Sequence, residues 1–219
     1  MPASTRSRSL LTWLPAIILV VVIGAIVFVT FAVQNSWWAE ESPAASADQK
    51  ASDGSTMLTD AGFDYATVEG IVRVRIGDGG LPAAQLGLGA DEEKSAEFRR
   101  PLRVVVAGGD DVFVVDDVAS LTARAADGRL TALSVTYDVP GTWAEGVARV
   151  RGLASTYGWD ATQIDGLDEA LAEFNRSGEG DQFAASVGPS DGGARVTATL
   201  AFDRGSGLTS VTLLFEPGS

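Results

Sequence analysis

Carboxylates are the side chains of this chain that could do chemistry, since two Asp or Glu residues at a set separation suffice to hydrolyse a glycosidic bond. Most of them also have a structural explanation. Asp110 and Asp111 lie in a predicted hairpin turn, Asp116 and Asp117 are expected to end a strand, and Asp165 is predicted to cap a helix. An envelope glycan hydrolase therefore remains an alternative function. Its candidate residues are Asp110, Asp111, Asp116, Asp117, Asp165, Asp168 and Glu169.

The composition excludes most other catalysts. The chain has no His and no Cys, which removes the commonest general base, thiolate nucleophiles, disulfides and iron–sulfur sites. Residues 188–192 match G-x-S-x-G around Ser190, but a nucleophile elbow needs a helix after it, and a strand is predicted there. A Ser–Lys pair would need Lys50 or Lys94, and neither lies in an S-x-x-K motif. We predict no catalytic residue.

Metal and phosphate motifs are equally weak. Residues 175–181 imitate the start of an EF-hand loop, with Gly180 at the sixth place. The twelfth place is Ser186, where a bidentate Glu is required. The sequence contains no G-x-x-x-x-G-K phosphate loop. We therefore predict no metal ligand and no cofactor-binding residue.

Three aromatic residues surround the first predicted helix and could mark a binding face. Trp143 and Tyr157 fall on the apolar stripe of that helix, and Trp159 follows Gly158, where it would close the helix end. Since aromatic residues dominate protein cores, we expect all three to be buried.

An uncharged apolar segment of 24 residues occupies positions 10–33. A helix needs about 20 apolar residues to cross a bilayer, so a transmembrane signal-anchor is predicted. Two arginines in residues 1–9 precede the segment, and Glu40 and Glu41 follow it, which predicts a cytoplasmic N-terminus and an extracytoplasmic remainder. A cleaved signal peptide is the alternative, but its apolar core would be shorter and the nearest A-x-A site, at 45–47, lies far downstream.

The remaining sequence predicts a linker and one domain. Residues 34–59 are rich in Ser, Ala, Asp and Glu, a composition typical of flexible linkers, and residues 60–219 are expected to form the extracytoplasmic domain. With 16 Lys+Arg against 29 Asp+Glu, the net charge of −13 argues against nucleic acid as a partner. The excess of Arg over Lys and the high Ala and Gly content suggest a GC-rich bacterial genome.

Apolar alternation predicts two groups of strands. The first group contains 72–76, 102–107, 112–118, 121–125 and 130–137, and the second contains Gln182–Val187, 196–202 and 208–215. Turn residues 108–111 and Asp127-Gly128 connect hairpins in the first group. Residues 81–100 are ambiguous, with a short helix possible over 92–100.

Two amphipathic helices separate the strand groups. Thr142 and Glu145 form a capping box that begins the first helix, and Gly158 ends it. The second helix is predicted from Asp165 as cap to Gly178. The predicted fold class is therefore α+β: an N-terminal transmembrane helix, then an antiparallel β-meander, two helices packed on the sheet, and a C-terminal β-hairpin.

These features predict a non-enzymatic binding or scaffold domain held in a bacterial envelope. The bilayer would be contacted through residues 10–33, and the domain would meet a protein partner or another ligand outside the cytoplasm. Besides the glycan hydrolase, an accessory subunit of a membrane protein complex remains an alternative.

Overall fold

The structure is a computed structural model that describes residues 17–30, 44–77, 79–138, 140–189 and 194–218. The chain divides into two compact units, Met1–Ser42 and Pro43–Ser219. All the described strands belong to the second unit.

Residues 17–30 of the predicted transmembrane segment form a helix, α1, and all of them are exposed. The rest of that segment, 10–16 and 31–33, lies outside the described residues. Among the helices that the structure describes, none has the length and apolarity needed to cross a membrane. The transmembrane anchor therefore stays a prediction.

The second unit is a mixed α+β fold with seven described strands. Its helices are α2 (Ala47–Ala51), α3 (Asp60–Glu69), α4 (Ala83–Leu86), α5 (Trp143–Tyr157), α6 (Ala161–Asp165) and α7 (Leu167–Ser177). Its strands are β1 (Ile71–Ile76), β2 (Glu93–Gly108), β3 (Asp111–Ala126), β4 (Arg129–Tyr137), β5 (Gln182–Val187), β6 (Ala194–Asp203) and β7 (Leu208–Pro217).

The strands form one sheet in the order β1-β2-β3-β4-β7-β6-β5. The predicted meander is present in β2, β3 and β4, and the predicted C-terminal hairpin is β6 with β7. The sheet differs from the antiparallel prediction at one edge, where β1 runs parallel to β2. Parallel neighbours need a crossover connection, and the segment that contains α4 provides it.

The short helix expected over 92–100 is wrong, because this segment is the first half of β2. Ala96 pairs with the buried Leu121, and the Phe98 ring lies 6.1 Å from that of Phe63 in α3. The alternate residues of the segment face solvent. Partly buried and exposed side chains therefore alternate with the two-residue period of a strand, which a helix cannot provide.

The predicted strands 112–118 and 121–125 are one strand, β3. The pairing register shifts between Val118 and Ser120, and Asp117 has a φ of 59°. Such a bulge bends a strand without ending it. Asp116 and Asp117 thus lie within β3 and not at the end of a strand as predicted.

The helix after the meander is confirmed as α5. Thr142 and Glu145 form the capping box, and Gly158 ends the helix in the left-handed conformation. The predicted cap of the second helix is wrong, because Asp165 is the last residue of α6, which Asp160 caps. Helix α7 begins after Gly166 and ends at Gly178, as predicted for its C-terminus.

Part of the segment predicted as a linker packs against the sheet. Ser46 caps the short α2, Leu58 is fully buried, and the Thr56 N–H donates to the Arg73 carbonyl of β1 at 2.6 Å. The following helix, α3, was not predicted. The folded unit therefore includes residues on the N-terminal side of position 60.

The helices that contact the strands cover one face of the sheet. Phe63 of α3 and Tyr157 of α5 meet aromatic rings of β2 and β3 on that face. The opposite face of the central strands carries mainly hydroxyl side chains, none of them buried. The register places Ser120, Thr136, Thr212, Thr199 and Ser186 in one row across five neighbouring strands.

Candidate functional site

Two acidic residues of β3 have contacts that explain their positions. Asp116 accepts a hydrogen bond from Arg103 Nε at 2.6 Å, and both side chains are more than half exposed. The carbonyl of Asp117 accepts the Asp138 N–H at 2.8 Å, which fixes the bulge. Asp110 occupies the turn between β2 and β3, as predicted, whereas Asp111 is the first residue of β3 and not part of the turn.

The remaining candidate carboxylates lie in another part of the unit. Asp165 contacts Arg151 at 3.2 Å, and Asp168 accepts a hydrogen bond from Trp143 Nε1 at 2.9 Å. Glu169 lies in the first turn of α7, where the helix dipole favours an acid. Helix α7 packs beside β5, which is four strands from β3, or about 19 Å at the usual strand spacing. The fold does not bring the two groups together.

The EF-hand-like segment is explained by a turn, and only the start of the G-x-S-x-G segment is described. The segment 175–181 spans the end of α7 and the turn before β5, where Arg204 donates to the carbonyls of Gly180 and Phe174. In the G-x-S-x-G segment, the Gly188 N–H donates to Gln163 Oε1, whereas Ser190 lies outside the described residues. Among the described residues, no three acidic side chains form a group that could hold a metal ion.

The three aromatic residues are buried, as predicted. Tyr157 stacks on Trp159 with 4.8 Å between ring centroids. Trp159 Nε1 donates to the Val196 carbonyl at 2.9 Å. Trp143 packs 5.6 Å from Phe183. These rings join the helices to the sheet and do not form an exposed binding face.

A cavity of about 210 Å³ lies between the first turns of α5 and the start of β7. Gly141 and Thr209 exchange two backbone hydrogen bonds there, at 3.0 and 2.7 Å. Gly146 lets α5 approach the sheet, because a Cβ at that position would lie only 3.2 Å from Leu200 Cδ2 and Thr209 Cγ2. The cavity is lined by Gly141, Glu145, Gly146, Arg149, Thr209 and Val211.

Thr209 is the buried polar residue in the wall of this cavity. It is 1% exposed, and its Oγ1 is the one buried side-chain nitrogen or oxygen of the described residues without a hydrogen-bond partner. A buried hydroxyl left in this state costs about 1–3 kcal/mol. Natural folds rarely leave such a group unpaired, so the hydroxyl indicates a missing hydrogen-bonding partner.

Glu145 and Arg149 carry opposite charges and lie one helical turn apart on the side of α5 that lines the cavity. The Thr142 N–H and hydroxyl donate to Glu145 Oε2 at 2.7 and 2.9 Å, and these bonds lower the pKa of the Glu145 carboxyl below its usual value. Glu145 is therefore ionised at neutral pH. The Arg149 guanidinium carbon lies 4.3 Å from the ring centroid of Tyr137, a cation–π contact that positions it.

This arrangement offers hydrogen-bond donors from Arg149 and acceptors from Glu145, and the Thr209 hydroxyl, which can both donate and accept, is buried in the same wall. The two formal charges cancel. Sequence reasoning identified Glu145 as a cap but missed Arg149 and Thr209. No local pattern marks them, because a strand threonine and a helix arginine are ordinary until the fold places them together.

Comparison with protein-family models, with curated proteins and with solved structures finds no match for this chain.

Proposed function

We propose that the chain is a membrane-anchored, extracytoplasmic and non-enzymatic binding domain of a bacterial envelope, and that the cavity between α5 and β7 receives its ligand. The observation that carries this proposal is the cavity itself, where Glu145 and Arg149 line the same wall as Thr209, whose buried hydroxyl has no partner among the described residues. A ligand hydroxyl or carbonyl in this position would supply the missing hydrogen bond.

The location is supported by the sequence. Residues 10–33 carry no charge over 24 positions, and the described part of the segment, 17–30, is helical. Arginines in residues 1–9 and glutamates at 40 and 41 favour a cytoplasmic N-terminus.

Binding is favoured over glycan hydrolysis by the positions of the carboxylates. Glycosidases hold two carboxyl groups about 5–10 Å apart across the scissile bond. Here Asp116 is paired with Arg103, and Asp168 is bonded to Trp143 near the opposite edge of the sheet. The carboxylates of Asp116 and Asp168 therefore each have a structural partner.

The cavity favours a small uncharged ligand that bears hydroxyl groups. A volume of about 210 Å³ equals that of roughly seven water molecules, about the size of a single sugar ring. A simple anion would be repelled by Glu145 and a simple cation by Arg149. A molecule with several hydroxyl groups can donate to the carboxylate and accept from the guanidinium.

Cysteine labelling tests the location, because the natural chain has no Cys. We expect Ala201→Cys, at an exposed position of β6, to react with a membrane-impermeant maleimide in intact spheroplasts. The matched variant Ser7→Cys should react only after the membrane is opened. Labelling of Ser7→Cys but not of Ala201→Cys in intact spheroplasts would reverse the proposed topology.

A further inference from the structure

The two edges of the sheet are protected differently. At the β1 edge, the Thr56 N–H donates to the Arg73 carbonyl at 2.6 Å, and the Arg73 N–H donates to Thr56 Oγ1 at 2.9 Å. These bonds occupy the outward backbone groups of Arg73. At the other edge, β5 pairs with β6 and with no other described strand. Among the described residues, nothing pairs with the outer side of that edge.

The register shows which groups of β5 point outward. The Arg204 N–H donates to the Asp181 carbonyl at 2.8 Å, in line with the pairing of Gln182 with Asp203. Hydrogen-bonded and non-bonded pairs alternate along an antiparallel ladder. Phe183 and Ala185 therefore bond to β6. The N–H and C=O groups that point away from the sheet belong to Gln182, Ala184 and Ser186.

The sequence of β5 contains none of the features that usually prevent another strand from pairing with a sheet edge. The strand reads QFAASV, with no charge and no proline, and the outward-bonding residues also have exposed side chains. Natural edge strands are usually guarded by charges, proline or bulges. The end of β3 that extends beyond β4 is guarded in this way, by the bulge at Asp117 and by Asp110, Asp111 and Asp116.

We infer that the β5 edge is a dimer interface, at which two copies of this chain pair their β5 strands antiparallel about a two-fold axis at Ala184. Gln182 of one copy then faces Ser186 of the second copy, and the three pairs supply about six backbone hydrogen bonds. Asp181 faces Val187 of the second copy, so no like charges are opposed along the paired strands. For a chain with a net charge of −13, an uncharged edge is where a second copy can approach closely.

Helix α7 provides a second, independent observation at the same edge. It packs against β5 through Phe174 and Phe183, yet Leu167 is its one buried residue. Leu171 and Phe174 on its apolar stripe remain partly exposed. A two-fold axis perpendicular to the sheet keeps both α7 helices on the same face, beside each other. The dimer would therefore place the exposed parts of the two α7 helices beside each other.

Single-cysteine cross-linking of the full-length chain tests this pairing. Across the proposed axis the two Ala184 Cα atoms lie about 5.5 Å apart, within disulfide range. Ala201 is the cross-strand partner of Ala184 and is exposed on the same face, but its copies would lie about 14 Å apart. Under a mild oxidant, Ala184→Cys should give a covalent dimer and Ala201→Cys should not. Equal cross-linking of the two variants, or none at Ala184→Cys, would overturn the inference.

A proline variant tests the outward hydrogen bonds. Ala184→Pro removes an outward N–H and leaves the bonds between β5 and β6 in place. Sedimentation of the full-length chain in detergent should show at least a tenfold weaker dimer, with an unchanged melting temperature at concentrations where both chains are monomeric. A dimer of unchanged affinity, or a wild-type chain that stays monomeric at 100 μM (about the highest practical concentration), would contradict the inference. If the proline variant does not fold, the cross-linking result decides the question. Neither test depends on the proposed membrane anchor or ligand.

Discussion

Thr209 is the residue at which the fold leaves a hydrogen bond unmade. Its backbone groups are bonded to Gly141, and its methyl group faces Gly146 of α5. Its hydroxyl adds nothing to this packing, because it has no partner among the described residues. If position 209 served only the packing of α5 on the sheet, Val would fill it equally well, because its side chain has the same shape as that of Thr.

Thr209→Val should therefore stabilise the ligand-free protein. Removal of the unpaired hydroxyl is expected to raise the free energy of unfolding by about 1 kcal/mol. The matched control is Thr212→Val on the same strand, whose hydroxyl is bonded to that of Thr136 at 3.0 Å. The free energy of unfolding of this control should fall by about 0.5–1 kcal/mol, because its hydrogen bond is lost. Urea unfolding of both variants measures the difference, and a destabilised Thr209→Val would show that its hydroxyl has a partner.

The capping box predicts a pH effect at Glu145. Bonds from Thr142 lower the pKa of Glu145 in the folded state, so their stabilising contribution is present above the unfolded pKa of about 4.5 and disappears as the pH falls through the folded value. Thr142→Ala removes the side-chain donor and should raise the pKa of Glu145. NMR titration of the carboxyl carbon measures this. An unchanged pKa in Thr142→Ala would mean that the hydroxyl bond contributes nothing.

Single residues were predictable where their role is local. Thr142, Glu145 and Gly158 act within one helix, so their spacing alone identifies them. Thr209 and Arg149 acquire their role from elements distant in the sequence. For the same reason Asp165 was misread as a cap: two short helices meet at Gly166, and the sequence pattern does not distinguish the end of one from the start of the next.

At the scale of elements, packing overrides local pattern in the region of β2 and α3. The segment 92–100 has residues that suit a helix, but its contacts with β3 and Phe63 make it a strand. Helix α3 has only a weak apolar stripe, and its sequence contains Gly62 near the start, so it was not recognised. Elements with strong periodicity, such as β7 and α5, were predicted correctly.

Two helix glycines should respond oppositely to alanine. A Cβ at Gly62 would overlap the carbonyl of Met57, where the chain enters α3, so Gly62→Ala should lower the free energy of unfolding by about 2 kcal/mol or more. Gly152 in α5 is exposed, and its Cβ would meet nothing. Gly152→Ala should raise stability by about 1 kcal/mol through helix propensity. Thermal melts of both variants measure the difference. Equal changes in melting temperature would contradict the close approach of Gly62 to the Met57 carbonyl.

At the scale of the whole molecule, the α+β class and most of the strand set follow from the sequence. The parallel β1 does not, because strand direction at an edge depends on the path of the crossover and not on the pattern of the strand itself. Strand order was also beyond prediction, since β7 lies between β4 and β6 through contacts such as that of Thr136 with Thr212, two residues that are 76 positions apart in the sequence. The anchor over 10–33 remains a prediction.

The most direct test of the account is titration of the ¹⁵N-labelled full-length protein with D-glucose, a neutral molecule with several hydroxyl groups. The micelle should be made of a detergent without sugar headgroups. Acetate and ethylammonium serve as charged controls. Binding in the cavity should give saturable shifts at the amides of Gly141, Gly146 and Thr209 with glucose alone, and the more stable Thr209→Val should bind at least tenfold more weakly. Absence of saturable shifts, or equal binding by Thr209→Val, would contradict binding in the cavity.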